Sequence, residues 1–209
     1  MRNIHWPVMA GAVLLLSGCA HTPPPPMLSI TQTSCDALPD MQHAQPIPFN
    51  GKDDTSVSVL FDGKTACLQS GADAKSLYRM YRLPDAQSPY LISIVSVPTE
   101  VSVFVPRITI LDAKGAPVRE IPPDSLTFRN GNLSALFRSH ANDSYLLLAS
   151  DSDQVGKSSQ QILESTQVTT AVSGPLYFTY HSGNDQTRQL LYSHNGSVEI
   201  TLSPIPQAR

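Results

Sequence analysis

Three cysteines, six histidines and seventeen acidic residues are the groups in this chain that could do chemistry. The cysteines are Cys19, Cys35 and Cys67. No two stand in CxxC spacing and no histidine cluster accompanies them, which argues against a dithiol redox site or a zinc site. A hydrolase triad needs a nucleophile, a base and an orienting acid. Serines are plentiful and His140, His181 and His194 are available, but no Gly-x-Ser-x-Gly elbow presents a nucleophile. His181 closes the run "LYFTYH" and His194 precedes a turn, so both are expected as surface imidazoles. "DSDQVG" (Asp151 to Gly156) begins like a calcium loop. Val155 then stands where the fifth-position oxygen ligand belongs, and Ile162 where the closing Glu belongs. No His-Glu-x-x-His and no glycine-rich phosphate loop occurs. The expectation is a non-enzyme with no catalytic residue, metal or cofactor. Aromatic rings remain, and ring faces can stack on sugars. Tyr78, Tyr81, Tyr177 and Tyr180 are the candidate sugar-stacking residues, alongside Tyr90 and Tyr192. Most are expected to pack in sheets with their hydroxyls at the rim.

The first cysteine lies in a different context from the other two. Arg2 gives the N-terminus a positive start, Val8 to Leu16 is a run of nine apolar residues, and Ser17-Gly18-Cys19 is a small-residue exit. This is the layout of an export signal. Nine residues of helix reach about 14 Å against a bilayer core of roughly 30 Å, too short to span. The end reads Leu16-Ser17-Gly18-Cys19 and resembles the lipobox of bacterial lipoproteins. The resemblance implies that residues 1–18 are removed and that the Cys19 thiol takes a diacylglycerol, with the new amino terminus acylated. Ala20, in place of Asp, resembles the sorting signal of Gram-negative outer-membrane lipoproteins. Three acyl chains exceed the two membrane signals that stable anchoring requires. The membrane contact would then be the lipid, on the periplasmic face of the outer membrane. A secreted protein with a coincidental cysteine is the alternative.

Acylation of Cys19 would leave Cys35 and Cys67 in an oxidising compartment, and a structural disulfide between them is the leading expectation. A redox or metal pair is the alternative. The bridge closes a loop of about 33 residues, which chain entropy values at roughly 3–4 kcal/mol. Removal of residues 1–18 takes away only Arg2 among the charged groups, moving the net charge from −3 to about −4. That balance, without a basic patch, argues against a nucleic-acid partner. Hydrophobic residues make up 41% of the chain, enough for one sizeable core.

Residues 19–34 hold Cys19 and then "TPPPP" (Thr22 to Pro26), which favours stiff polyproline II. They read as a tether, with a single folded domain over 35–209. From residue 55 the pattern is β. Val57, Val59 and Phe61 alternate with smaller or exposed positions, and Asp62-Gly63 follows as a hairpin signal. Residues 75–83 suit a strand. Tyr90 to Val97 reads as a central strand buried on both faces. In "VSVFVPRITILD" the apolar parity shifts across Pro106-Arg107, so this is one bulged strand or two short ones. Asp112 to Gly115 suits a turn. Strands are expected at 126–128, 133–137, 145–150, 176–181, 189–193 and 197–202, with hairpin turns at Asn130-Gly131 and Asn195-Gly196. Residues 154–165 could make one short helix. The whole predicts an all-β fold, an antiparallel β-sandwich of jelly-roll or Ig-like type.

One stretch carries a family resemblance. "TEVSVFVPRITILDAKGAPVREIPPDSLTF" contains Ser102, Val103, Phe104 and Pro106, then Ile110, Leu111 and Asp112, a turn, and Pro117 and Pro122. It resembles the MalM family of periplasmic proteins encoded in maltose operons. Tyr145 to Ser150 stands in the place of that family's "YVLVFTT"-like strand. The match covers about a third of the chain, and the lipobox departs from the ordinary signal of the best-known members. The resemblance implies an accessory protein of carbohydrate uptake. Its expected partners are an envelope protein such as a transporter or porin, and an oligosaccharide. A structural or assembly lipoprotein of an envelope complex is the alternative.

Overall fold

The alternating pattern is realised as strands because each can bury one face against a second sheet. The structure, a computed structural model, describes residues 24–69, 74–86, 88–163, 166–173, 176–183 and 186–205, side chains excepted over 162–186. The strands are β1 (Gln45–Pro46), β2 (Thr55–Phe61), β3 (Cys67–Gln69), β4 (Lys75–Arg82), β5 (Tyr90–Val97), β6 (Ser102–Phe104), β7 (Pro106–Leu111) and β8 (Pro117–Ile121). There follow β9 (Thr127–Arg129), β10 (Asn132–Arg138), β11 (Tyr145–Ser150), β12 (Ser158–Leu163), β13 (Thr166–Ser173), β14 (Leu176–Gly183), β15 (Gln186–Ser193) and β16 (Gly196–Pro204). Among the described residues the only helical element is a 3-10 turn, Pro123–Ser125, so the helix expected within 154–165 is instead β12.

Two sheets face each other. One runs β1-β4-β11-β7-β8, with β3 also on β4; the other runs β2-β16-β5-β10-β9. Their inner faces meet in one core, with Leu77, Tyr81, Ile108, Ile110, Leu146 and Leu148 from the first. Val59, Phe61, Ile92, Ile94, Val198, Ile200 and Leu202 come from the second. The antiparallel sandwich is therefore the fold. β5 is central, paired to both β10 and β16, but it is not buried on both faces as expected. Its burial alternates, with Leu91, Ser93 and Val95 half-exposed, because only the inner face has a second sheet to cover it.

The parity shift at Pro106 resolves into two strands. β6 ends at Phe104, and β7 starts at Pro106 in a different sheet. Asn130 (φ 50) and Gly131 (φ 79) make the tight β9–β10 turn, as their types require. Asp62-Gly63 forms a turn closed by the Asp62 side chain, but it hands the chain from β2 in one sheet to β3 in the other. Asn195-Gly196 also joins strands that do not pair, since β16 bonds to β2 and β5. Gly196 has φ 149, and an added Cβ would lie 2.9 Å from Phe104 Cβ.

Outside the sandwich, β12 and β15 pair antiparallel, and so do β13 and β14. The register runs without a slip from Ser158↔Leu191 through Leu163↔Gln186 and Thr166↔Gly183 to Ser173↔Leu176. This is one long ribbon. β15 runs parallel to β6, which leads on into β7 at the start of the first sheet. The base of the ribbon therefore sits at that end of the sandwich.

The Cys35–Cys67 disulfide is formed, with Cα atoms 4.8 Å apart. It clips the N-terminal segment alongside β3, where Asp36 N donates to Cys67 O and Gln69 N to Asp36 O. The hold begins earlier than the boundary expected at Cys35. Met27 N donates to Ser193 Oγ and Asn195 Oδ1, His194 N donates to Met27 O, and Asn195 Nδ2 donates to Pro25 O. Met27 and Ile30 pack against the core. The folded unit thus reaches back to Pro25, because backbone groups in this segment find partners on the β15–β16 corner.

Candidate functional site

The end of the sandwich opposite the ribbon carries a concave basin. Two adjoining hollows of about 570 and 400 Å³ share the loop Pro84–Tyr90 as a common wall. The larger is closed by residues 139–145 and the smaller by Phe49–Gly51 and Pro204. Fixed contacts hold each wall. Arg119 Nη2 reaches the Asp143 carboxylate at 2.6 Å and donates to Arg138 O, and Asp143 accepts from His140 N. The Asp143 side chain is only 3% exposed, so this pair pins the 139–144 loop from within. Tyr90 and Ser139 exchange bonds, Tyr90 N to Ser139 Oγ and Ser139 N to Tyr90 O. The Phe49 and Tyr90 rings lie 5.0 Å apart.

The groups left facing the basin are Arg82, Asp85, Ser88, His140 and Tyr145. The Arg82 guanidinium sits 5.9 Å from the centroid of the half-buried Tyr145 ring. A ring beside a guanidinium, with a carboxylate and hydroxyls lining the same hollow, suits a neutral polyhydroxylated ligand, which needs both a stacking face and donors and acceptors. Neither Arg82 nor Tyr145 stood out in the sequence. The loops that bring them together are distant in the chain, and only the strand pairing Tyr145↔Arg82 joins them.

Two of the four expected stacking tyrosines, Tyr78 and Tyr81, do not line this basin. Tyr81 is 1% exposed in the core, its hydroxyl buried and its pKa pushed up to about 12 by burial. Tyr78 lies against the clipped segment, donating to Asp36 Oδ2 at 2.7 Å. Burial and then that carboxylate push its pKa up to about 12. Both rings are consumed by packing. The side chains of Tyr177 and Tyr180 lie outside the described residues, as do Cys19 and residues 1–18.

His194 is not the surface imidazole expected. It is buried, and its Nδ1 lies 2.7 Å from Ser150 Oγ, which also accepts the Leu77 N–H. Burial depresses the His194 pKa. Ser150 is wholly buried and the pair lines none of the hollows, so it satisfies interior polar groups. The acidic loop after β11 is likewise accounted for. Arg107 pairs with both Asp151, which is 2% exposed, and Asp153. Among the described residues no three His, Cys, Asp or Glu side chains gather closely enough to hold a metal ion.

Comparison with protein-family models, with curated proteins and with solved structures finds no match to this chain.

Proposed function

We propose that this chain is a lipid-anchored, non-enzymatic module of the periplasmic face of the outer membrane, accessory to carbohydrate uptake. In this reading the MalM resemblance reflects a real kinship, Cys19 carries the lipid, and the basin at Tyr145 takes one end of an oligosaccharide. The observation that carries it is the separation of anchor and basin. The N-terminal segment is held at Ser193–Asn195, just before β16 begins, and the basin lies where β16 ends at Pro204. Nine residues of β16 put them roughly 30 Å apart. An anchored molecule therefore turns its basin away from the bilayer, toward soluble ligand. The Cys35–Cys67 bridge supports an oxidising compartment.

A thermal shift and a calorimetric titration with linear maltodextrins test the ligand. Binding at millimolar concentration, weakened about tenfold by Tyr145→Ala through loss of a stacking face, is the expected result. No shift for the native protein, or an unchanged affinity for the variant, contradicts it. The reading as an assembly lipoprotein is favoured by one observation, the ribbon β12–β15, which no ligand-binding role requires.

A further inference from the structure

The outer part of the ribbon is built from uncharged residues. From Ser165 to Asn184 the sequence contains no Asp, Glu, Lys or Arg. β13 and β14 draw instead on Thr, Val, Tyr and Phe, which favour strands. Edges are normally blunted by charge, proline or cover, and a two-stranded ribbon alone is marginal in water. One edge is braced at its base. β15 pairs with β6 over Leu191–Ser193, Leu191 N donates to Val101 O and Arg188 Nε donates to Glu100 O. The other edge, β12 and β13, has no pairing partner among the described residues beyond β15 and β14 themselves.

We propose that the β13 edge pairs antiparallel with the same edge of a second copy of this chain, merging two ribbons into one four-stranded sheet. Two observations select this occupant. An antiparallel two-fold pair sets the residue at its axis against its own copy, where a charge would meet its like, and this edge carries none. An oppositely charged partner would find nothing to grip. The second rests on the anchored reading above. Six residue steps separate Cys19 from the held Pro25, at most about 20 Å of chain. The ribbon leaves from that same corner, so copies tethered in one membrane carry their ribbons at one height and meet edge to edge. The bilayer itself is a poorer occupant. Val168 and Val172 share register positions with His181 and Tyr177, while Gln167 pairs with Ser182 and Thr169 with Tyr180. Neither set of alternate positions is apolar on both strands, as a lipid-facing band requires, and open edges leave backbone groups unpaired in lipid.

Single cysteines placed in turn at Gln167 to Val172, in the full chain in its native membrane, test this under mild oxidation. An antiparallel two-fold pair predicts a crosslinked dimer peaking at one position and falling on both sides. Thr170→Lys, added to the best crosslinker, should cut the dimer about tenfold by setting like charges together, while Thr170→Ser keeps it. The unsubstituted chain reports on the anchor separately. Acylated Cys19 and bridged Cys35 and Cys67 leave no free thiol, so a dimer there sinks the lipid reading and not the pairing. Equal crosslinking at every position, no crosslinking, or crosslinking to a different protein overturns the proposal. So does shielding of these cysteines from aqueous thiol reagents without a dimer, which would assign the ribbon to the membrane.

Discussion

His194 is an interior group whose protonation the fold resists. Its imidazole is buried against Ser150, and burial lowers its pKa below the ordinary value. The unfolded chain then binds the proton more readily than the folded one. The contribution of His194 to stability is constant above about pH 6.5 and declines as pH falls below it, until the folded pKa is passed. Urea melts at pH 7 and pH 5 should show this loss, and His194→Gln should flatten it. Equal slopes in the two proteins would assign the acid sensitivity to other groups. The same residue shows why side-chain roles were hard to read locally. A histidine before Asn-Gly looks exposed, yet the chain just after β15 lies against Met27, whose carbonyl accepts the His194 N–H. Tyr78 and Tyr81 misled in the same way, because aromatics three positions apart on β4 bury on opposite faces of a sheet covered on both sides.

Strands were legible where a single face is buried. Val57, Val59 and Phe61 announce β2, and the parity break at Pro106 announces a change of sheet. The ribbon was only half legible. β12 shows no apolar alternation and reads as a polar helix, while β13 passes unnoticed. Two of the three Asn-Gly pairs, alike in sequence, do different work. Asn130-Gly131 closes a hairpin, whereas Gly196 turns the corner from ribbon to sandwich against Phe104. A Cβ at Gly196 would meet both the Phe104 side chain and its backbone nitrogen, at 2.9 and 3.1 Å. Gly196→Ala should therefore lower stability by about 1–3 kcal/mol through a strained φ and that clash, measured by thermal or urea unfolding. Gly51, with nothing within 4 Å of an added Cβ, is the control that separates φ strain from contact. A neutral Gly196→Ala would show that the corner relaxes freely.

At the scale of the molecule, three features are arranged in sequence along one axis. The held N-terminal segment and the base of the ribbon share the Ser193–Asn195 corner, the sandwich spans the middle, and the Tyr145 basin opens at the far end. None of this order was legible beforehand, since it depends on Pro25 to Met27 bonding to residues more than 160 positions away. The arrangement gains its meaning from the anchor. With lipid on Cys19, a short tether fixes which end faces the bilayer; without it, basin and ribbon have no common orientation. The most direct test is the mass of the mature N-terminal peptide from membranes of the native host. The account predicts a chain beginning at Cys19 and carrying a diacylglycerol and an amide-linked acyl group. A peptide cleaved elsewhere, or one beginning at Cys19 with an unmodified thiol, would contradict it.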